Sequence, residues 1–395
     1  MEKGYIFVTN GNKPSKEAYI SREDVKLSNF SLAPIQAALD LGFDCYMSLN
    51  RQNALEIKCD YPIHFYEGCI YRNIFNFKEI RKARKNLNEI VKKTNCKCIH
   101  CNTPIGGLIG RQIGKRNHVD KVIYTVHGFH FYKGAPLFNN TILKFIERRL
   151  ARSTDAVITM NNEDYEAAKK FKLKSGGKVY KVHGVGITLK DFENTGINRI
   201  EKRKELGLKN DDIAIVSAGD LVKRKNYKVA IKAIKECNNH HIHYFICGIG
   251  PELKKLKSLT HKFCLENQIH FLGFRKDVKE IMVSSDIFLF TSLQEGLPRS
   301  LMEAMALGLP CIVSNIRGNI DLIEDGINGI LCNPKDSNSF ANSIKFFINN
   351  GDLRRKMKLS NLEKIKEYDI SVVKKEIKEI YSEILANNDS KEAQL

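Results

Sequence analysis

No uninterrupted apolar run in the 395-residue sequence approaches the roughly 20 residues that cross a bilayer as a helix, which argues against an integral helical membrane protein. The opening M-E-K-G-Y-I-F-V-T-N enters a strand-like run without a basic n-region, a long apolar h-region or a cleavage site; a cytoplasmic protein is expected. There is no aromatic-interleaved basic motif and no recognised DNA-binding signature, so a nucleic-acid partner is not expected. The turn C-G-I-G-P-E at 247–252 is not G-x-G-x-x-G and gives no evidence for NAD. Eleven cysteines are scattered through strand-like and helical stretches rather than arranged as a disulfide framework. Cys96, Cys98, His100 and Cys101 do cluster, but zinc ligand pairs usually stand at least two residues apart and no second pair lies nearby. K-C-I-H-C reads more simply as a strand.

Acid is also scarce: 45 Asp and Glu against 64 Lys and Arg leave a formal net charge of +19. Such an excess calls for an anionic partner or surface. The basic residues concentrate at 78–97, 111–121 and 144–152, all in the first half. Part of each run is a solvated helix face, yet a basic first domain suits an enzyme whose acceptor sits in an anionic leaflet. An apolar fraction of 43% and a charged fraction of 28% are those of a soluble globular chain, and the length favours two domains.

What is present is alternation. Strands are expected at 5–9, 44–49, 97–101, 121–126, 156–160 and 179–182, with helices at 33–41, 77–93, 106–115, 141–152 and 163–171. The second half repeats this, with strands at 213–218, 243–247, 269–272, 287–291, 311–314 and 329–332 and helices at 226–236, 252–263, 278–284, 300–307 and 337–349. Apolar runs separated by helical segments predict parallel sheets covered on both faces, an α/β class in which ligands bind beyond the carboxyl ends of the strands. The glycine-rich connector 184–192 marks the boundary, giving domains at 1–184 and 185–369, with a last helix at 370–386 and a polar, frayed tail to residue 395.

The stretch Ser292–Gly308, S-L-Q-E-G-L-P-R-S-L-M-E-A-M-A-L-G, follows a buried-strand pattern and passes through Gly296 and Pro298 into a helix. A new helix start offers free amides and the positive end of a dipole, which attract phosphate. Glu295 and Glu303 bracket it, and carboxylates accept hydrogen bonds from hydroxyls. The combination points to a nucleotide sugar. Ser300 and Glu303 also spell the capping box S-x-x-E, so Glu303 has a purely structural reading as well.

E-x7-E after a strand, with G-L-P behind the first Glu, resembles the donor-site signature of family 4 glycosyltransferases, retaining enzymes of the GT-B fold. T-V-H-G at 125–128 is similar to the family's T-x-H-G, and the runs 100–136 and 160–171 look like its capsular and exopolysaccharide branch. The resemblance implies two doubly wound Rossmann-like domains facing across a cleft, the last helix packing back on the first. It implies a retaining transfer from a nucleoside diphosphate sugar, UDP by family habit, to a polyprenyl-diphosphate-linked saccharide, with the enzyme peripheral at the inner face of the membrane. Family members carry G-R-L and a later Lys after the second domain's first strand; here Gly219 and Lys225 match, while Asp220 replaces the arginine. Arg224 either supplies that charge from the next position or points into solvent.

Carried over residue by residue, Lys225 and Arg224 would hold the diphosphate, Glu295 with Gly296, Leu297 and Pro298 the transferred sugar, and Glu303 the ribose. Phe274 would lie near the nucleobase, and His127 would contact the donor sugar. No cofactor is implied, because the nucleotide sugar is a substrate, and no D-x-D-like motif asks for a metal. The loop 10–14 stands where the family often has Gly-Gly and this chain has only Gly11. Two other readings remain: a GT-B nucleotide-sugar epimerase, which needs no acceptor, and a non-catalytic nucleotide-sugar-binding scaffold, which the change at Asp220 favours.

Overall fold

A computed structural model describes residues 3–11, 13–20, 24–73, 75–193 and 196–386. Asn12 of the loop 10–14 and the tail 387–395 lie outside the described residues. The chain forms two compact units. One runs to Gly186 and takes in the helix Ile370–Ala386; the other is Ile187–Asp369.

The first unit holds β1 (Lys3–Val8), β2 (Phe43–Leu49), β3 (Ile63–Glu67), β4 (Cys96–Asn102), β5 (Lys121–Val126), β6 (Ala156–Thr159) and β7 (Lys178–Lys181). They form one parallel sheet in the order β3-β2-β1-β4-β5-β6-β7. The central strands β1 and β5 read as largely apolar runs, Y-I-F-V and V-I-Y-T-V, because helices cover both faces of the sheet. In the helix Pro104–Arg116 a side chain at Gly107, Gly110 or Gly114 would overlap Tyr124, Cys101 or Val122. The glycines recur every three or four residues, so this face lies directly on β4 and β5.

The helix Ile370–Ala386 completes this unit. It buries Val373, Ile377, Ile380, Tyr381 and Ile384, one stripe at helical spacing. Tyr381 places its hydroxyl 2.7 Å from that of Tyr5, and Glu376 accepts from the His183 amide at 3.0 Å. The cysteine-rich stretch is strand β4. His100 points into the same buried group, with Nδ1 against the Tyr5 and Tyr381 hydroxyls and Nε2 2.7 Å from Thr125 Oγ1, so both ring nitrogens are engaged by hydroxyls.

The second unit holds β8 (Ile213–Ala218), β9 (Ile242–Cys247), β10 (Ile269–Gly273), β11 (Ile287–Phe290), β12 (Cys311–Ser314) and β13 (Gly329–Cys332). All are parallel, in the order β10-β9-β8-β11-β12-β13. Strand order reverses between β8 and β11, and that is where open parallel sheets receive ligands.

Elements not expected from the pattern include β3, the helices Arg199–Glu205 and Gly351–Lys364, and the short helices Lys16–Ile20 and Asn319–Leu322. The helix expected over 141–152 begins instead with a wide turn, Asn139–Leu143, before the α-helix Lys144–Ala151. The helix expected from residue 33 starts at Asn29 and carries Pro34 inside it.

Candidate active site

At the carboxyl end of β8 the chain turns at Gly219, runs through a short 3-10 turn at Lys223–Lys225 and enters the helix Tyr227–Cys237. From the neighbouring β11 it continues through Thr291–Pro298 into the helix Arg299–Ala306. The two loops are stitched by backbone. The Leu293 amide donates to Arg224 O at 2.7 Å, and Thr291 Oγ1 donates to the carbonyls of Lys225 and Asn226 at 3.1 and 3.2 Å.

This stitching brings two cations onto one carboxylate oxygen. Lys225 Nζ lies 2.8 Å and Arg224 Nη1 2.9 Å from Glu295 Oε1, which leaves Oε2 as the carboxylate's remaining acceptor. Lys225 is buried, its amine 4.5 Å from the Phe290 ring centroid. Burial pushes the Lys225 amine below its ordinary value, and the Glu295 carboxylate opposes that shift. The contact cluster carries two positive charges to one negative. Asp220 is exposed, and water screens its field.

Glycines make the geometry possible. Gly219 sits at φ +153°, and a Cβ there would lie 3.3 Å from Lys225 Cε, so this residue makes room for the lysine stem. Gly318, at φ +81°, abuts the Gly296 carbonyl so closely that a side chain would overlap it. Beside it, Arg317 Nε donates to Glu295 O at 3.1 Å. The loop after β12 therefore braces Glu295–Leu297 from behind.

The capping-box reading of Glu303 is overturned. Pro298 occupies the N-cap position and the helix begins at Arg299, which puts Ser300 two residues too far in to cap and Glu303 at the fifth helical position instead of the third that the motif requires. Glu303 instead takes a 2.8 Å bond from Arg299 Nε, an i,i+4 pair on a half-buried carboxylate. Arg224, posed as a substitute charge or a solvent-facing residue, pairs with Glu295 while staying exposed. Phe274 is 72% exposed just past β10. Its strand ends on the same rim as β8, since Gly248 N donates to Gly273 O at 2.8 Å and Gly248 abuts Gly219. The structure thus gathers Gly219, Arg224, Lys225, Glu295, Gly296, Leu297 and Pro298 at one switch point. Glu303 stands farther along the helix and Phe274 two strands away.

His127 belongs to the first unit, at the end of β5. Its Nε2 meets Asn102 Oδ1, its Nδ1 lies 3.2 Å from Met160 Sδ, and its ring stands edge-on to Phe30 at 5.1 Å. Burial pushes His127 down to about 4, so the imidazole is neutral at physiological pH. Asn102 ends β4, beside β1, where strand order reverses in this sheet. No site role was assigned from the sequence to Asn102, the last residue of β4, or to Arg317 and Gly318 in the loop after β12.

Two parallel doubly wound units in one chain, with a cation pair poised at a switch point, define the class: a GT-B fold. A family model described as "Glycosyl transferases group 1" matches residues 198–362, and one described as "Glycosyl transferase 4-like" matches residues 23–161. The chain is 29% identical over 383 residues to a putative glycosyltransferase, EpsD, of Bacillus subtilis, covering 95% of this chain and 98% of that protein. It is 31% identical over 327 residues to an Escherichia coli UDP-Gal:alpha-D-GlcNAc-diphosphoundecaprenol alpha-1,3-galactosyltransferase, covering 81% and 82%. Among solved structures, Anabaena HepE in complex with UDP-glucose matches with a TM-score of 0.74 at 19% identity, covering 96% of this chain and 99% of that one. The chain belongs to the family 4 glycosyltransferases and is a glycosyltransferase.

Proposed function

We propose that this enzyme transfers a sugar from a nucleoside diphosphate donor, UDP foremost, to a polyprenyl-diphosphate-linked saccharide, with retention at the anomeric carbon, in the synthesis of a surface polysaccharide. The observation that carries the reading is the pairing of Lys225 and Arg224 on a single Glu295 oxygen at the β8/β11 switch point. Support comes from the E. coli relative, whose name specifies UDP-Gal and a diphosphoundecaprenol-linked acceptor, and from the UDP-glucose held by the HepE fold.

The barrier lies in breaking the bond between the anomeric carbon and the diphosphate oxygen, whose electron pair departs with the diphosphate. Lys225 and Arg224 are already in place, so they stabilise the developing negative charge without reorganising, and they do so more in the transition state than in the bound donor. Amides at the start of Arg299–Ala306 add to that field. The acceptor hydroxyl forms the new bond, and its proton goes to an oxygen of the departing diphosphate. Glu295 positions the cations through Oε1 and offers Oε2 to a sugar hydroxyl. Glu303, with Arg299 on one oxygen, offers the other to the ribose. Phe274 supplies an exposed aromatic face for the base, and His127 a neutral imidazole for a hydroxyl of the transferred sugar. In this reading no metal ion takes part, and the enzyme works at the inner face of the membrane, where such an acceptor is held.

A panel of nucleotide sugars assayed against polyprenyl-diphosphate-linked saccharides tests this. Transfer from one UDP-sugar with the new linkage in the donor's anomeric configuration is expected. Isomerisation of a UDP-sugar without acceptor would establish an epimerase, and donor binding with neither transfer nor hydrolysis across the panel a scaffold; either outcome overturns the proposal.

A further inference from the structure

The first unit carries an apolar surface that the proposed chemistry does not use. Three helices, Phe77–Lys93, Pro104–Arg116 and Lys144–Ala151, lie side by side on one face of its sheet. Arg84 Nη2 reaches Gln112 Oε1 at 2.7 Å, and the buried Arg111 pairs with Glu147 at 2.8 Å while its guanidinium lies 3.9 Å from the Tyr124 ring centroid. The last helix is therefore anchored by Glu147 and by the buried Ala151. The outer side of this helix and of the wide turn leading into it faces water, with Leu137 83%, Phe138 61% and Phe145 65% exposed, and Ile142 and Ile146 exposed with them. Five large apolar side chains bare within ten residues exceed the scattered single residues of an ordinary surface.

Cations accompany them on the same short stretch: Arg148 and Arg149 are exposed, and Lys144 is half-buried with its amine 5.8 Å from the Phe131 ring centroid. A second pair of bare aromatics, Phe75 and Phe77, opens the helix Phe77–Lys93, followed by the basic Lys78, Arg81 and Lys82. Each of these helices follows a strand of a parallel sheet and so begins at the sheet's carboxyl rim. The rim thus carries two aromatic-and-basic tips on one helical layer.

We propose that the segment Pro136–Arg149 is an interfacial anchor that seats the enzyme on an anionic bilayer, Leu137, Phe138 and Phe145 entering the headgroup–acyl boundary while Arg148 and Arg149 engage lipid phosphates. Apolar residues beside arginines on one amphipathic turn and helix are the pattern that lies in a membrane interface, and the net charge of +19 has the sign that an anionic leaflet attracts. A protein partner would be matched by the apolar part, but the cation excess selects the anionic surface. The inference rests on the reading of a lipid-linked acceptor for its purpose, and on this exposed face for its substance.

Flotation of the full chain tests it, with vesicles of phosphatidylcholine alone or mixed with phosphatidylglycerol at about 0.15 M salt. The wild type should float with the mixed vesicles and bind phosphatidylcholine at least tenfold more weakly. The combined Leu137→Ser, Phe138→Ser and Phe145→Ser variant, all at bare positions, should keep its melting temperature and lose at least tenfold in binding. Arg148→Gln with Arg149→Gln should lose about 25-fold, at about fivefold for each cation near such a surface. Because the chain has no tryptophan, Phe138→Trp provides a single reporter, whose emission should shift to the blue on the mixed vesicles and be quenched by lipids brominated in the acyl chain. Undiminished binding of the triple-serine variant, or unshifted emission, overturns the proposal. So does a wild-type dimer that the triple-serine variant dissociates while neither binds vesicles. The vesicles hold no acceptor and no donor is added, so failure here leaves the glycosyl-transfer reading untouched, and failure of transfer leaves this result standing.

Discussion

The two units share a strand order at their centres and differ in what they place there. In the second unit the reversal between β8 and β11 carries full charges, with Lys225 and Arg224 on Glu295. The first unit puts Asn102 and the neutral His127, its imidazole pushed down to about 4 by burial, beside its own reversal. Topology decides where a parallel sheet receives a ligand; the side chains decide what kind. A paired-cation switch point suits a diphosphate, and a neutral amide–imidazole pair suits hydroxyls, which need directional bonds rather than a field.

That contrast can be broken by substitution. Lys225→Met should lower kcat by roughly 100- to 1000-fold, the usual effect of losing one preorganised donor to developing charge; steady-state rates at saturating donor measure it, and a wild-type rate would remove the residue from the diphosphate. Glu303→Ala should raise the donor KM by at least about tenfold, the scale of a charge-assisted hydrogen bond left unmade, with kcat nearly unchanged. A folded variant with unaltered KM would reduce Glu303 to a partner of Arg299.

His127→Ala should cost about tenfold in kcat, as a neutral contact does, and should leave the salt dependence of turnover untouched. The same histidine makes a pH prediction. A base whose folded value lies below its unfolded value of about 6.5 takes up its proton more readily in the unfolded chain, so stability is lost as pH falls from that value toward about 4. His100, pushed down to about 3 by burial, acts in the same direction. Urea midpoints between pH 7.5 and 5.5 should decline, and His127→Gln should recover about 1 kcal/mol of the decline at pH 5.5. Arg224→Gln should have the smallest effect, about threefold in kcat and shrinking in salt, because the guanidinium is exposed and screened.

The fold was largely legible because most central parallel strands, such as β1, β8 and β11, are mainly apolar and stand out between helices. What escaped notice lacked that signal. β3 is an edge strand, I-H-F-Y-E, with an exposed His64 and a half-buried Glu67. The helix Gly351–Lys364 buries only Met357 and Asn361, and Arg199–Glu205, R-I-E-K-R-K-E, leaves Ile200 exposed. Neither helix has an apolar stripe to reveal a period. At the site, Lys225 and Glu295 were each visible from motif resemblance, but not their pairing, because contact across some 70 residues depends on two loops being stitched together. The role left open for Glu303 turned on two residues of register, which Pro298 sets by taking the N-cap.

The helix Ile370–Ala386 belongs to the first unit while the chain between Gly186 and Ile370 builds the second. During translation, then, β1 and β4 must wait with Tyr5 and His100 uncovered until the ribosome has made the whole of the second unit, which can close on its own. Newly made chains would pass through a stage with one finished half and one that a chaperone or protease could still recognise.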